Sequence, residues 1–517
     1  MNEDSFEPME VHERTRMERF LDAVERVGNK VPHPAVIFVL LIGIVVVLSH
    51  ILYLLGAAVT FETINPETDE LVETVAAAQS LLTAEGIRFM YAGVVSNFMA
   101  FNAVGVIIVA MLGVGVAESA GLIGALIHKL VLVAPARAIT YILVFVGILS
   151  SVAADAGYLV LIPLAAAAFL SLGRNPLAGL AASFAGVAAV FTVNILIKPL
   201  DGILTEITND AIHIVDPALS INLAANFWFS VGSVLALTLV VALITDKFVE
   251  PRLGPYTGQR PAVGGKEMST DESRGLKYAM VGLVGVLVFF GLLALPPGAP
   301  LRNPETGALI GDSPFMNGMI VFIAALFLAT GLGYGIGART MKSTVDVIRA
   351  MEKAVRELGP LIFLLFIISQ FIAFFTYTNM AVLAAVKMGD ALESAGLGAL
   401  PLLIGFVVVV GILDLIMTGS IPKWAIFAPV FVPLLMRLNV DPEAVLAAYR
   451  VGDGPMNAVS PLNAYFALIV SFAQKYKADA GVGTVVALML PYVVVVFVVW
   501  TVLLAAWEML GLPWGLG

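Results

Sequence analysis

From Pro34 to Val59 the chain runs without one Asp, Glu, Lys or Arg, and nearly uncharged runs return at about Leu276–Leu295, Phe315–Gly337 and Val482–Trp507. Each matches the ~20 residues a helix needs to cross a hydrocarbon core of ~30 Å. Only structures that pair all their own peptide groups survive there. With 60% hydrophobic and 13% charged residues over 517 positions, the chain is a polytopic membrane protein with no large soluble domain left over. The expected class is all-α.

The net charge of −10 comes from acids gathered in tails and loops, and no block of Lys and Arg offers a nucleic-acid surface. No cysteine is present and the five histidines are scattered, which excludes disulfides, thiolate metal sites and cysteine nucleophiles; neither a cofactor nor a metal centre is expected. Residues 1–33 are polar, with Arg14, Arg16, Arg19, Arg26 and Lys30 among Phe20, Leu21, Val24 and Val27 at helical spacing. They lack the apolar core of a cleavable signal peptide. Glu13–Gly28 reads either as a helix on the cytoplasmic membrane surface or as a soluble amphipathic tail.

Lys and Arg are retained on the cytoplasmic side during insertion, so their distribution orients the chain. The basic start places the N-terminus in the cytoplasm of a cell whose inner membrane holds the protein. The stretch Phe61–Gly86 has six acids and no Lys or Arg, and is expected in the periplasm. Arg252, Arg260, Lys266 and Arg274 mark a cytoplasmic connection, 251–275, between a first membrane half (34–250) and a second (276–517). Arg339, Lys342, Arg349, Lys353 and Arg356 return to the cytoplasm, and Lys475 and Lys477 precede the last span. The C-terminus is therefore expected in the periplasm.

The two halves resemble one another. Ser96–Phe101 matches Ser369–Phe374, Ala117–Leu122 matches Leu392–Leu397, Gly147–Leu149 matches Gly411–Leu413, and Pro163, Pro176 and Pro199-Leu-Asp201 match Pro429, Pro442 and Pro461-Leu-Asn463. The order is kept, with offsets from 262 (461 − 199) to 275 (393 − 118). The first copy is entered from the periplasmic side and the second from the cytoplasmic side, so the repeat is inverted. Inverted repeats are a recurrent design of secondary transporters, whose sites lie near the midplane between discontinuous helices.

The interruptions are visible. A hairpin at 136–173 is polar at Ser150, Ser151, Asp155 and Gly157, and the next helix, 176–202, is broken around Asn194–Gly202. A second hairpin, 400–438, carries Asp414, Thr418, Gly419, Ser420, Pro422 and Lys423 at its tip. The helix after it, 442–463, breaks at Gly452-Asp-Gly-Pro455 and at Ser460-Pro461. Gly452 and Gly454 read as residues that free the backbone. Irregular backbone at membrane depth is tolerated only inside protein or against a wet cavity.

Asp155-Ala-Gly-Tyr-Leu-Val-Leu-Ile-Pro163, Gly173-Arg-Asn-Pro-Leu-Ala-Gly-Leu-Ala181, Phe184-Ala-Gly-Val187, Lys423-Trp-Ala-Ile-Phe-Ala-Pro429 and Ala448-Tyr-Arg-Val-Gly-Asp453 resemble the AbgT family of aminobenzoyl-glutamate transporters and antimetabolite exporters. The resemblance implies a homodimer, each protomer having nine transmembrane helices plus two re-entrant hairpins. It also implies that Asp201, Trp424, Pro442, Arg450, Asp453 and Pro461 line the solute route. The chain departs from the family pattern at Asp414, where Asn is expected, at Ile421-Pro422 and at Gly454-Pro455-Met456.

Arg450 and Asp453, three apart on one helical face, read as a mutually neutralising pair or as a grip on an anionic solute. Trp424 beside Lys423 reads as an aromatic plate next to a cation or as an interfacial anchor. Asp155, Asp201 and Asp414 are each read as a titrating group or a structural partner, with Lys198 a partner for Asp201. Asn194, Asn457, Ser460 and Asn463 offer neutral oxygens to sodium. The stretch Tyr449–Asp453 distantly resembles the Gly-x-Gly-Asp element of intramembrane proteases, but Arg450 holds the first glycine position and would keep the aspartate ionised, so no enzyme is expected. The leading expectation is secondary transport of p-aminobenzoyl-glutamate-like, aminobenzoate or sulfonamide-type aromatic anions, in efflux, coupled to protons or sodium. Its rival is a sodium-coupled carboxylate importer of related architecture.

Overall fold

The computed structural model describes residues 32–64, 71–152, 157–258, 268–394, 398–415, 417, 419–460 and 462–516. The amphipathic segment Glu13–Gly28, Asp155 and Pro461 lie outside the described residues. Helix α1 (Pro34–Leu54) leads into an antiparallel hairpin of β1 (Ala58–Ile64) and β2 (Leu71–Ala77), in register from Ala58↔Ala77 to Ile64↔Leu71. This two-stranded hairpin is a local exception among described residues that are otherwise mostly helical, as expected. The first span stops before Val59 because the following residues are rich in Val, Thr and Ile, which suit a pleated strand.

After α2 (Ala84–Met99) and α3 (Ala103–Ala120), α4 (Leu122–Leu132) starts directly beyond Gly121, whose φ of 88° lies in the left-handed region. Two short helices follow, α5 (Ile139–Ser150) and α6 (Ile162–Ser171), the latter entered through a π-helical turn at Gly157–Leu161. Helix α7 (Pro176–Phe184) widens into a π-helical turn at Ala185–Ala189, and the chain then leaves helical geometry until α8 (Pro199–Ile212). The interruption is thus 190–198 rather than Asn194–Gly202. Pro199, with no N–H to lose, begins the helix, and Asp201 Oδ2 accepts a hydrogen bond from the Lys198 N–H at 2.8 Å, which caps it.

Helix α9 (Phe227–Ile244) continues through a π-helical turn (Thr245–Val249) and a helical turn (Glu250–Leu253). Next come α10 (Thr270–Ala294), α11 (Met319–Ala338), α12 (Thr344–Glu357), α13 (Gly359–Tyr377) and α14 (Met380–Ser394). Helices α15 (Ala399–Asp414) and α16 (Ser420–Arg437) form a second short pair, with Gly419 at φ 96° just before α16. Helix α17 (Pro442–Asp453) then stops, a 3-10 turn covers Pro455–Ala458, and α18 (Phe466–Gln474) and α19 (Val482–Met509) close the described chain.

Seven helical segments among the described residues are long and apolar enough to cross a bilayer. The α10/α11 pair forms an outer layer packed on α3, and glycines set the spacing. A Cβ on Gly113 would meet Ala324 O at 2.0 Å, and one on Gly282 would meet Ala329 O at 2.3 Å. The inner layer consists of the short helices. All of α7 is buried, and α17 is buried at every position but Glu443, so their peptide ends terminate inside protein.

Candidate functional site

The two interruptions meet. The π-helical turn Ala185–Ala189 packs against the 3-10 turn Pro455–Ala458, with Gly454 at the contact. A Cβ on Gly454 would lie 2.8 Å from the Trp500 ring and 3.0 Å from Ala189 O; one on Gly452 would lie 2.7 Å from Val407 O. Both glycines keep helical or near-helical geometry. They serve close approach of neighbouring chains, which corrects the reading that they free the backbone.

At this crossing α17 is stitched to the first interruption. Thr192 Oγ1 donates to Arg450 O at 2.9 Å; Arg450 Nη1 donates to Thr192 O at 2.7 Å and pairs with Asp201 Oδ1 at 2.6 Å. Arg450 Nε has no hydrogen-bond partner among the described residues. The partner of Arg450 is therefore Asp201, 249 residues away, and not Asp453, which corrects the intrahelical pair. Lys198 meets Asp201 through its backbone N–H rather than through its ammonium, which donates to Phe191 O and to Ser151 Oγ while still attracting the Asp201 carboxylate through space.

Asp453 belongs to a second, fully buried cluster. Lys423 Nζ contacts Asp414 Oδ1 and lies 2.5 Å from Asp453 Oδ1. Ser420 Oγ donates to Asp453 Oδ2, and Tyr449 OH lies within hydrogen-bonding distance of both Ser420 O and Asp453 Oδ1. Asp414 Oδ2 has no partner among the described residues. The cation beside Asp453 is thus Lys423 rather than Arg450.

Trp424 is neither an interfacial anchor nor an open plate in this conformation. Its ring is fully buried, lies 4.6 Å from that of Tyr449, and donates through Nε1 to Leu204 O (3.1 Å) and Thr208 Oγ1 (3.0 Å), fastening α16 to α8. Pro442 starts α17 far from the charges, eight residues or ~12 Å of helix from Arg450. It lines a cavity of about 520 Å³ with Asp441, Glu443, Glu508, Trp507 and Trp514.

The neutral polar residues mostly tie the irregular segments down. Asn194 Nδ2 donates to Ile148 O (3.0 Å), Leu149 O (3.2 Å) and Ser151 Oγ (3.0 Å), while its Oδ1 accepts from Leu196 N. Asn457 Nδ2 donates to Asp453 O at 2.5 Å; Asn463 Nδ2 reaches Asn457 O and its Oδ1 accepts from Tyr465 N. Ser460 Oγ is buried without a partner among the described residues. A pair not anticipated is Tyr158 stacked on Tyr465, 4.2 Å apart and 13° from parallel, joining the α5/α6 hairpin to the second interruption. Tyr158 lies within the quoted Asp-Ala-Gly-Tyr motif, the one signal that could have found it.

Interrupted helices that end inside a multi-pass membrane protein, with buried charges matched across the crossing, define a membrane transporter. Residues 19–517 match the AbgT transporter family. The chain is 35% identical over 496 residues to the p-aminobenzoyl-glutamate transport protein of Escherichia coli K12, covering 96% of this chain and 95% of that one. It superposes on the crystal structure of the Alcanivorax borkumensis YdaH transporter with a TM-score of 0.87 and 38% identity, covering 94% of this chain and 100% of the other. For Neisseria gonorrhoeae MtrF, described with a class of antimetabolite efflux pumps, the values are 0.87 and 36%, covering 95% and 97%. The chain belongs to the AbgT family.

Proposed function

We propose that this protein is a secondary active transporter of aromatic anions of the p-aminobenzoyl-glutamate, aminobenzoate or sulfonamide type, moving them outward in a cycle driven by a proton or sodium gradient. The observation that carries the reading is Arg450, buried where the two interrupted helices cross and held by Asp201 and Thr192 from the first half, with Nε unbonded among the described residues. A guanidinium fixed in this way presents a directed donor to a carboxylate or sulfonyl oxygen. Asp453, Pro461 and Trp424 belong to the same route in this reading, Trp424 by holding α16 in place, and Pro442 lies at its periplasmic mouth. Asp155, Asn194, Asp414, Asn457, Ser460 and Asn463 are the candidates for ion coupling.

The architecture proposed with it is an inverted repeat of residues 34–250 and 276–517, nine spans and two re-entrant hairpins per protomer of a homodimer. Ser150 and Asp414, 264 apart (414 − 150), each end the first arm of a hairpin, and Pro176 and Pro442 each begin the interrupted helix, which supports the repeat. The Lys and Arg distribution supports a cytoplasmic N-terminus and a periplasmic C-terminus in the inner membrane.

The test is flux of labelled p-aminobenzoyl-glutamate and of succinate in proteoliposomes, with protons and sodium exchanged in turn. Movement of the aromatic anion driven by either gradient is expected; sodium-driven succinate uptake without aromatic transport would refute the reading in favour of a carboxylate importer.

A further inference from the structure

We propose that the cavity between the starts of α7 and α19 and the ends of α9 and α18 binds an anionic phospholipid, with Arg252 and Lys477 holding its phosphate and the apolar floor taking up the first part of an acyl chain. Such a ligand comes from the bilayer itself and is separate from the solute carried.

The cavity, of about 270 Å³, lies at a membrane boundary. Arg252 stands in the last turn of the apolar segment Phe227–Leu253, and Lys477 stands in the connection that precedes α19. Both cations are therefore at the depth of phosphate headgroups, and in the orientation proposed above this is the cytoplasmic leaflet, the side on which basic pockets between helices meet anionic lipid. Phe248 on the cavity wall is 53% exposed, so the apolar wall continues onto the outer surface of the helix layer. The volume falls below the ~300–1,000 Å³ that encloses a whole small molecule. Its occupant keeps most of its body elsewhere, as a lipid does whose remaining carbons stay in the bilayer.

The lining selects the ligand. Arg252 and Lys477 are its only charged residues and Thr484 its only other polar one, while Leu177, Leu253, Val485 and Leu488 are among the apolar remainder. Two cations above a hydrocarbon floor match a phosphodiester joined to an acyl chain; a free anion would leave the floor uncovered, and an apolar helix would bury both charges unpaired. Both cations are available. Among the described residues the Lys477 ammonium meets only Asp479, at 4.0 Å with both side chains exposed, a geometry that contributes little. The acids nearest Arg252 in sequence, Asp246 and Glu250, are bonded to Arg174. On the described elements around the cavity, Arg174, Lys247, Arg252, Lys475 and Lys477 outnumber those three acids by two, and Glu508 lies at the opposite end of α19. The mouth is preformed. Asn175 Nδ2 donates to Gly254 O at 3.0 Å and Tyr256 OH donates to Tyr476 O at 3.3 Å, fastening the chain after α9 to both its neighbours.

The experiment is native mass spectrometry of the purified full-length protein in non-ionic detergent, titrated with phosphatidylglycerol, with phosphatidylcholine of the same chains and with inorganic phosphate, alongside the melting temperature in each case. Phosphatidylglycerol should be retained and raise the melting temperature, and the other two should do neither. Arg252→Gln and Lys477→Gln, both at exposed positions, should each weaken retention about fivefold and together about thirtyfold. Arg349→Gln with Lys353→Gln, exposed on α12 and outside the cavity, should leave retention unchanged. Ala487→Trp fills the cavity from an exposed position, keeps both cations and should abolish retention; should it not fold, the double glutamine variant decides alone. Undiminished retention in the double variant or in folded Ala487→Trp overturns the proposal. So does equal retention of the two lipids, which marks annular lipid, or protection by inorganic phosphate equal to that by the lipid, which marks a site for the free anion. A matching loss in the α12 variant overturns it as well, because general surface charge would then be the cause.

Discussion

Replacing Arg450 with Ala should damage transport far more than the loss of one contact suggests, and the pairing with Asp201 sets the size of the effect. Arg450 is 3% exposed and the Asp201 side chain 12%, so the ion pair at 2.6 Å is largely shielded from water. Removing one partner of a buried pair costs about 3–5 kcal/mol, because the other charge is left without compensation. In Arg450→Ala the carboxylate of Asp201 is stranded, and Thr192 O loses its donor as well. Asp201→Ala strands the guanidinium instead. In the double variant neither charge remains, and its destabilisation should fall short of the sum of the singles by about 2–3 kcal/mol. Unfolding in mixed micelles measures the three variants, and flux in proteoliposomes measures function. The double variant should regain stability relative to the additive expectation and remain inactive, which separates the scaffold role of the pair from the contact of Arg450 with solute. Strict additivity would refute the pairing argument; recovered transport would refute the solute contact.

Trp424→Ala should cost about 3–5 kcal/mol as a buried aromatic truncation and reduce flux of aromatic and aliphatic solutes alike, because the ring is enclosed by Tyr449 and fastened to α8; selective loss of aromatic solutes would instead identify it as a plate. Arg174 binds Asp246 at 2.6 Å, both oxygens of Glu250, and Thr140, so Arg174→Ala should lower the melting temperature, Arg174→Lys should restore it only in part, and adding Glu250→Gln to Arg174→Ala should relieve some of the damage by removing one of the facing acids.

What was legible in the chain follows local rules. Proline at a helix start needs no partner elsewhere, and Pro176, Pro199 and Pro442 mark the starts of helices. The ion pairs were not legible, because they depend on which segments cross. Arg450 and Asp453 are neighbours on one helix, yet each is claimed by a residue from elsewhere in the chain. Lys423 and Trp424 were read together for their adjacency, but successive residues of a helix point ~100° apart, so one faces the acids and the other faces α8. The glycines of Gly452-Asp-Gly454 carried a true signal with two meanings, backbone freedom or close approach, and only the position of Ala189 and Val407 separates them. The β-hairpin was obscured because an acidic, uncharged-to-basic contrast says which side of the membrane a loop occupies and nothing about its geometry.

The stitch between Thr192 and Arg450 has a consequence for how the protein is made. The two residues are 258 positions apart, and at ~5–20 residues per second the ribosome needs ~13–52 s to travel between them. During that interval the 190–198 segment has been synthesised, while the guanidinium that will bind the Thr192 carbonyl and neutralise Asp201 does not yet exist. The first half of the chain must wait at the insertion site with a polar gap that only the second half can close, and a nascent chain arrested in the 251–275 connection should be a preferred target for membrane quality-control proteases.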